Sequence, residues 1–131
     1  MIFLVDHNLG GHAEILLGSI ASRGWLELLP IQFVTFKEIN LPINSGDRVV
    51  WRTAQSNKMI LLTANRSMKE EGSLEQVLRE ENQADSLPVV TIGNPNRFLE
   101  DRTYRDCCVD RILEILVDIE DFIGVGRLFI P

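Results

Sequence analysis

Residues 59–68 read MILLTANRSM, and the reading of this stretch decides the fold. Met59, Ile60, Leu61 and Leu62 form a short apolar run closed by Thr63, the pattern of a buried strand. The chain then turns polar at Asn65. In a parallel α/β protein the residues just past such a strand face the active-site crevice. A carboxylate there would hold a metal, but this chain has an amide. Asn65 is thus a lost catalytic residue, a retained polar contact or only a turn residue.

The neighbouring segments supply the alternation that makes the sheet parallel. Ile2–Val5 is a fully apolar strand that meets Asp6, His7 and Asn8. A helix over 10–23 follows, with Ile15, Leu16 and Ile20 on its inner face and Gly24 as its stop. PIQFVTF, 30–36, is the second strand, rich in β-branched and aromatic residues. Ser45 is placed to cap a helix over 46–57 with Val50, Trp51 and Ala54 inward. After the strand at 59–63, Ser73 and Gln76 have capping-box spacing and open a helix to Ala84. Residues 88–92 are the fourth strand and GNPN, 93–96, a loop. A long helix over 103–123 carries an apolar stripe through Cys108, Ile112, Ile115, Leu116, Ile119 and Phe122. Asp106, Asp110, Glu114, Asp118 and Asp121 form an acidic stripe on it, read as a solvated face. Arg127–Ile130 is a short fifth strand. Strands alternating with helices give one three-layer α/β/α domain over 1–131, with a five-stranded, mainly parallel sheet.

Composition narrows the function classes. The chain has 131 residues, 45% hydrophobic and 24% charged, as expected of a globular domain with a sizeable core. No apolar run is long enough to span a bilayer, so no membrane partner is expected. MIFLV meets Asp6 at once and lacks a basic leader, so it reads as a strand and not a signal peptide. The net charge of −6 argues against a strong nonspecific nucleic-acid binder but allows a local RNA-binding patch. Cys107 and Cys108 are adjacent, lack metal spacing and read as small core residues in a reducing cytoplasm.

Polar residues at the carboxyl ends of parallel strands converge. Here they are Asp6, His7 and Asn8 after the first strand, Asn65 after the third, and Asn94 and Asn96 after the fourth. Asp47 lies in the first turn of the second helix. Two carboxylates with several amides suit a hard cation such as Mg²⁺ or Mn²⁺, which activates water and clamps phosphate. The same residues also serve as turn and cap residues, and Asn8 reads equally as a cap for the first helix. His7 and His12 read as loop or helix-surface histidines. GGHAE, 10–14, has Ala13 where an acyltransferase nucleophile would stand, and no phosphate-binding glycine loop is present.

IFLVDHNL, 2–9, resembles the opening of the small bacterial PIN-like proteins, where the first strand ends in Leu-hydrophobe-Asp-x-Asn-Leu. SGDRVVWRTAQSNKMILLTANR, 45–66, is similar to their second block, in which an acid opens a helix and an apolar strand ends in Thr-x-Asp. LPVVTIGN, 87–94, is similar to their fourth strand. The resemblance covers nearly the whole chain. It implies a parallel sheet ordered 3-2-1-4-5 and a Mg²⁺- or Mn²⁺-dependent ribonuclease of toxin–antitoxin type. It also implies an antitoxin-like protein partner and a homodimer. Asp6 then matches the first acid, Asn8 its neighbouring amide and Asp47 the second acid. Asn65 stands where the family has the Asp of Thr-x-Asp, and Ser67 where another Asp often follows. The acidic site is thus degenerate, and whether Glu70 or Glu71 of the following loop replaces the missing acid is left open by the sequence. Arg48, Arg52, Arg66, Arg97 and Arg102 fall near the rim as phosphate-binding candidates, with Asn94 and Asn96 beside them as substrate contacts. The other function open to such a chain is a non-catalytic PIN-like module that binds a protein partner or a nucleotide-like ligand.

Overall fold

The strand read from Ile60, Leu61 and Leu62 is buried at every residue in the computed structural model, which describes residues 1–65 and 72–131. In chain order the elements are β1 (Ile2–Val5), α1 (Gly10–Ser22), β2 (Gln32–Thr35), α2 (Asp47–Ser56), β3 (Ile60–Thr63) and α3 (Leu74–Glu81). β4 (Val89–Ile92), α4 (Pro95–Glu100), α5 (Arg102–Val117), α6 (Ile119–Phe122) and β5 (Arg127–Ile130) complete the chain. All strand pairings are parallel. Alternate residues of each strand feed two cores. Phe3, Val5, Ile60, Leu62, Val90 and Ile92 pack with α1, α4 and α5. Leu4, Val34, Leu61 and Val89 pack with α2 and α3. The fold is therefore the expected three-layer α/β/α class.

The strand order corrects the expectation. It is β2-β1-β3-β4-β5, not 3-2-1-4-5. β3 lies between β1 and β4 instead of outside β2. The physical reason is burial: β3 is apolar on both faces, which suits an interior strand, whereas β2 exposes Gln32 and Thr35 as an edge strand can.

Local differences have local causes. α2 is capped by the Gly46 backbone, and the Ser45 hydroxyl instead donates to the Pro42 carbonyl at 2.7 Å. α1 buries Ala13, Leu16 and Ile20, leaving Ile15 exposed. Ser73 caps α3 as expected, accepting from the Gln76 N–H at 3.3 Å. α4 replaces the expected loop after Ile92, because Asn94 caps it and Pro95 supplies a preset first-turn φ. The expected helix over 103–123 is interrupted at Asp118 (φ −110°, ψ 32°). Acidic residues at a helix carboxyl end oppose its dipole, and Glu114, Asp118 and Asp121 cluster there. Of the two cysteines only Cys108 is a core residue; Cys107 is exposed. Burial pushes the Cys108 thiol up to about 12. No helix among the described residues is long and apolar enough to cross a membrane.

The return from α6 to β5 depends on Gly124. Its φ is +86°, and a Cβ there would stand 2.7 Å from the Ala84 carbonyl oxygen. Its N–H donates to Ser86 O and its carbonyl accepts from Asn82 Nδ2, each at 2.8 Å. Gly124→Ala is expected to cost about 1–3 kcal/mol and lower Tm by at least about 3 °C in a thermal melt. An unchanged Tm would show that the turn is not constrained.

Candidate functional site

The strand order places a topological switch point between β1 and β3, since the connections leave these two strands in opposite directions. A cleft of about 340 Å³ opens at their carboxyl ends. Its polar lining is Asp6, His7, Asn8, Ser45, Asp47, Thr63 and Asn65. Leu9, Phe36, Ile43, Val50, Leu61, Ala64 and Leu74 supply the apolar walls.

Asp6 is set by the end of the sheet ladder. Its N–H donates to the Leu62 carbonyl at 2.9 Å, which carries the β1–β3 pairing one residue past β1. The buried Thr63 hydroxyl donates to Asp6 Oδ2 at 2.8 Å. His7 Nδ1 lies 3.3 Å from Asp6 Oδ1, and its ring leans on Phe36 with centroids 5.8 Å apart. Asp47 comes from the first turn of α2, where a negative charge also suits the helix dipole. Asn65 donates from Nδ2 to Asp47 Oδ2 at 2.9 Å, and its own N–H donates to Thr63 Oγ1 at 3.0 Å. Thr63 thereby joins the two halves, since its hydroxyl gives its proton to Asp6 and accepts from Asn65.

The structure brings together Asp6, Asp47, Asn65 and Asn8. Asn8 does not cap α1, whose first flanking residue is Leu9; it lies exposed on the cleft wall. Asn94 and Asn96 stand apart from the cleft lining. The Asn94 side chain accepts from the Arg97 N–H at 3.0 Å as the α4 cap, and its own N–H donates to Tyr104 Oη at 2.8 Å. Asn96 is an exposed residue of α4. Arg48 does not line the cleft either. It joins α2 to α3 through Glu80 (2.7 Å) and Glu81, and Arg52 adds a 2.7 Å bond to Glu81. Glu80 and then Glu81 hold the Arg48 guanidinium above its ordinary value, while Arg52 and then Arg48 hold the Glu81 carboxyl low against partial burial. Arg97 pairs with Asp101 at 3.1 Å, and Arg102 reaches Asp106 only at 4.0 Å. Arg66, Ser67, Glu70 and Glu71 lie outside the described residues.

His7, offered by the sequence after the first strand but read as a loop histidine, lines the cleft. Arg127 escaped the sequence reading; its signal was a charge opening the otherwise apolar RLFI. Its guanidinium donates to the Asn65 carbonyl.

The donor set can be tested against a divalent cation. Among the described residues no group of three or more His, Cys, Asp or Glu side chains is arranged to hold a metal. Mg²⁺ needs less, since it keeps several waters and takes one or two carboxylates with substrate phosphates. Asp6 and Asp47 both line the cleft, with Asn8 beside them in its lining, and are residues of the kind that requirement names. No protein-family model, curated protein or solved structure matches the chain. The cleft is therefore interpreted through its own chemistry.

Asn65 is the position at which charge can be changed with least disturbance of shape. Asn65→Asp replaces a donor to Asp47 by a like charge. The metal-free protein is expected to lose about 1–2 kcal/mol, read as a Tm decrease of a few degrees. Mn²⁺ affinity, read by calorimetry, is expected to rise at least a few-fold because the site gains a carboxylate. Equal affinity in the two proteins would remove position 65 from the site.

Proposed function

We propose that the cleft is a divalent-cation site for phosphodiester hydrolysis, in a PIN-like ribonuclease with a degenerate acidic centre. The observation that carries this reading is the convergence of Asp6 and Asp47 on one cleft at the switch point. The motif resemblance at IFLVDHNL and LLTANR agrees with it. The strand order departs from the one that resemblance implies, so the reading rests on the cleft and the motifs, not on topology.

Asp6 and Asp47 would hold Mg²⁺ or Mn²⁺, with Asn8 contributing an amide oxygen. When bound, such an ion lowers the pKa of a water ligand and draws negative charge from a phosphate. The chain's own residues supply the rest. Thr63 fixes the Asp6 carboxylate, and Asn65 fixes Asp47. Phe36, Val50, Leu61 and Leu74 limit water on the cleft walls. RNA in the cytoplasm is the substrate class in this reading. An antitoxin-like protein partner and a homodimer belong to the same proposal.

One observation favours a second reading. Asn65 Nδ2 already satisfies Asp47 Oδ2 without a cation. A non-catalytic module that binds a protein partner or nucleotide-like ligand through this cleft would need no more than that.

Cation-dependent stability together with RNA cleavage separates the two. With Mn²⁺ at a hundredfold excess over Kd, the wild type is expected to gain about 2.7 kcal/mol. That is a Tm rise of several degrees, lost in Asp6→Asn. Asp6→Asn itself is expected to keep or raise the metal-free Tm, because it relieves an acidic cleft. Single-stranded RNA is expected to be cleaved with Mn²⁺ and spared with chelator or with Asp47→Asn. Cation binding without cleavage would favour the second reading. No Tm rise at millimolar metal would contradict the metal site altogether.

A further inference from the structure

We infer that Arg127, on a strand remote from the acids, is the positioning residue of the cleft. Arg127 opens β5, and β4 separates β5 from β3. Its side chain is nonetheless only 6% exposed. Nη1 donates to the Asn65 carbonyl and to Thr91 Oγ1 at 2.9 Å. Nε donates to Glu75 Oε1, also at 2.9 Å, in the first turn of α3. One guanidinium thus ties β5, β4, the segment just past β3 and the start of α3.

Among the described residues Arg127 Nη2 is buried without a hydrogen-bond partner. Buried arginines are rare unless paired, and buried donors are usually satisfied. Stability alone would be served as well by an apolar residue that fills the same space. What the guanidinium does that an apolar residue cannot is grip the Asn65 backbone. Asn65 is then held at its carbonyl by Arg127 and at its N–H by Thr63. With the backbone fixed at both groups, its side chain reaches Asp47 at 2.9 Å. Arg127 therefore acts on Asp47 through Asn65 and does not itself line the cleft. The consequence for cation binding rests on the metal-site reading; the consequence for the Asn65 amide does not.

The test compares wild type, Arg127→Lys and Ile130→Val. Lysine keeps the charge but lacks the planar fork that engages several acceptors at once. Ile130→Val loosens the same strand without touching Asn65 and so controls for lost stability. The Asn65 side-chain amide is read by NMR below the melting range, and Mn²⁺ affinity by calorimetry. In Arg127→Lys the amide signal is expected to shift toward that of a solvated amide and to exchange faster. Mn²⁺ affinity is expected to fall by about 10–100-fold, as when a group that orients a metal ligand is removed. Ile130→Val is expected to change neither. An unmoved Asn65 amide in folded Arg127→Lys would overturn the proposal. If that variant does not fold, Thr91→Val, which removes only one acceptor of Nη1, is judged by the same readouts. A moved amide with unchanged Mn²⁺ affinity would overturn the link to the cation. If the wild type binds no Mn²⁺, the metal-site reading fails and the amide alone decides the role of Arg127.

Discussion

The pairing of β1 with β3 is the constraint on which the cleft depends. Leu4 opposes Leu61 and Val5 opposes Leu62, and the Asp6 N–H extends the ladder to Leu62 O. Parallel neighbours run in the same direction, so their polar ends fall side by side. Thr63 therefore meets Asp6 at 2.8 Å. In a sheet with β2 between them, the two ends would lie two strand spacings apart, about 10 Å. No hydroxyl bridges that distance. The buried apolar faces of β1 and β3 thus place a carboxylate beside a threonine at a point in the sheet where the crossovers diverge.

Electrostatics then governs what the cleft can take. Asp6 and Asp47 are partly buried; Asp6 meets a hydroxyl and an imidazole, and Asp47 an amide. The α2 arginines Arg48 and Arg52 are engaged with Glu80 and Glu81 on α3, which leaves the carboxylates without a guanidinium from α2. In the proposed reading a divalent cation makes a phosphodiester compatible with two carboxylates. The amide at 65 sets the balance. It stabilises Asp47 without a cation and lowers the negative charge that would draw one. Arg127 holds that amide in place from β5, so the cleft depends on the sheet from β1 across to β5.

Much of this architecture was legible in the sequence. Apolar runs at IFLV and ILL, each followed by polar residues, marked buried strands and the rim where they end. Ser73 and Gln76 declared α3, and Asp6, Asp47 and Asn65 were legible as a convergent set. The strand order was missed: the exposed Gln32 and Thr35 of β2 were the signal of an edge strand, and the resemblance pointed elsewhere. α4 was signalled by Asn94 followed by Pro95, a cap and a preset first turn. The break at Asp118 was harder, because an apolar stripe continues through Ile119 and Phe122 while the acidic carboxyl end weakens the helix. The roles of Arg48 and Arg127 were not legible. They depend on partners 32 to 62 residues away in the chain, and one-dimensional periodicity carries no such information.

The most direct test of the central claim is the location of cation binding in the folded chain. Substoichiometric Mn²⁺ broadens backbone amide signals close to the bound ion in a ¹H–¹⁵N spectrum. If Asp6 and Asp47 share one site, the signals of residues 5–9, 46–48 and 63–65 will broaden first and together, while those of α5 stay sharp. Broadening confined to the acidic stripe of α5, with residues 5–9 and 63–65 unaffected, would contradict the account.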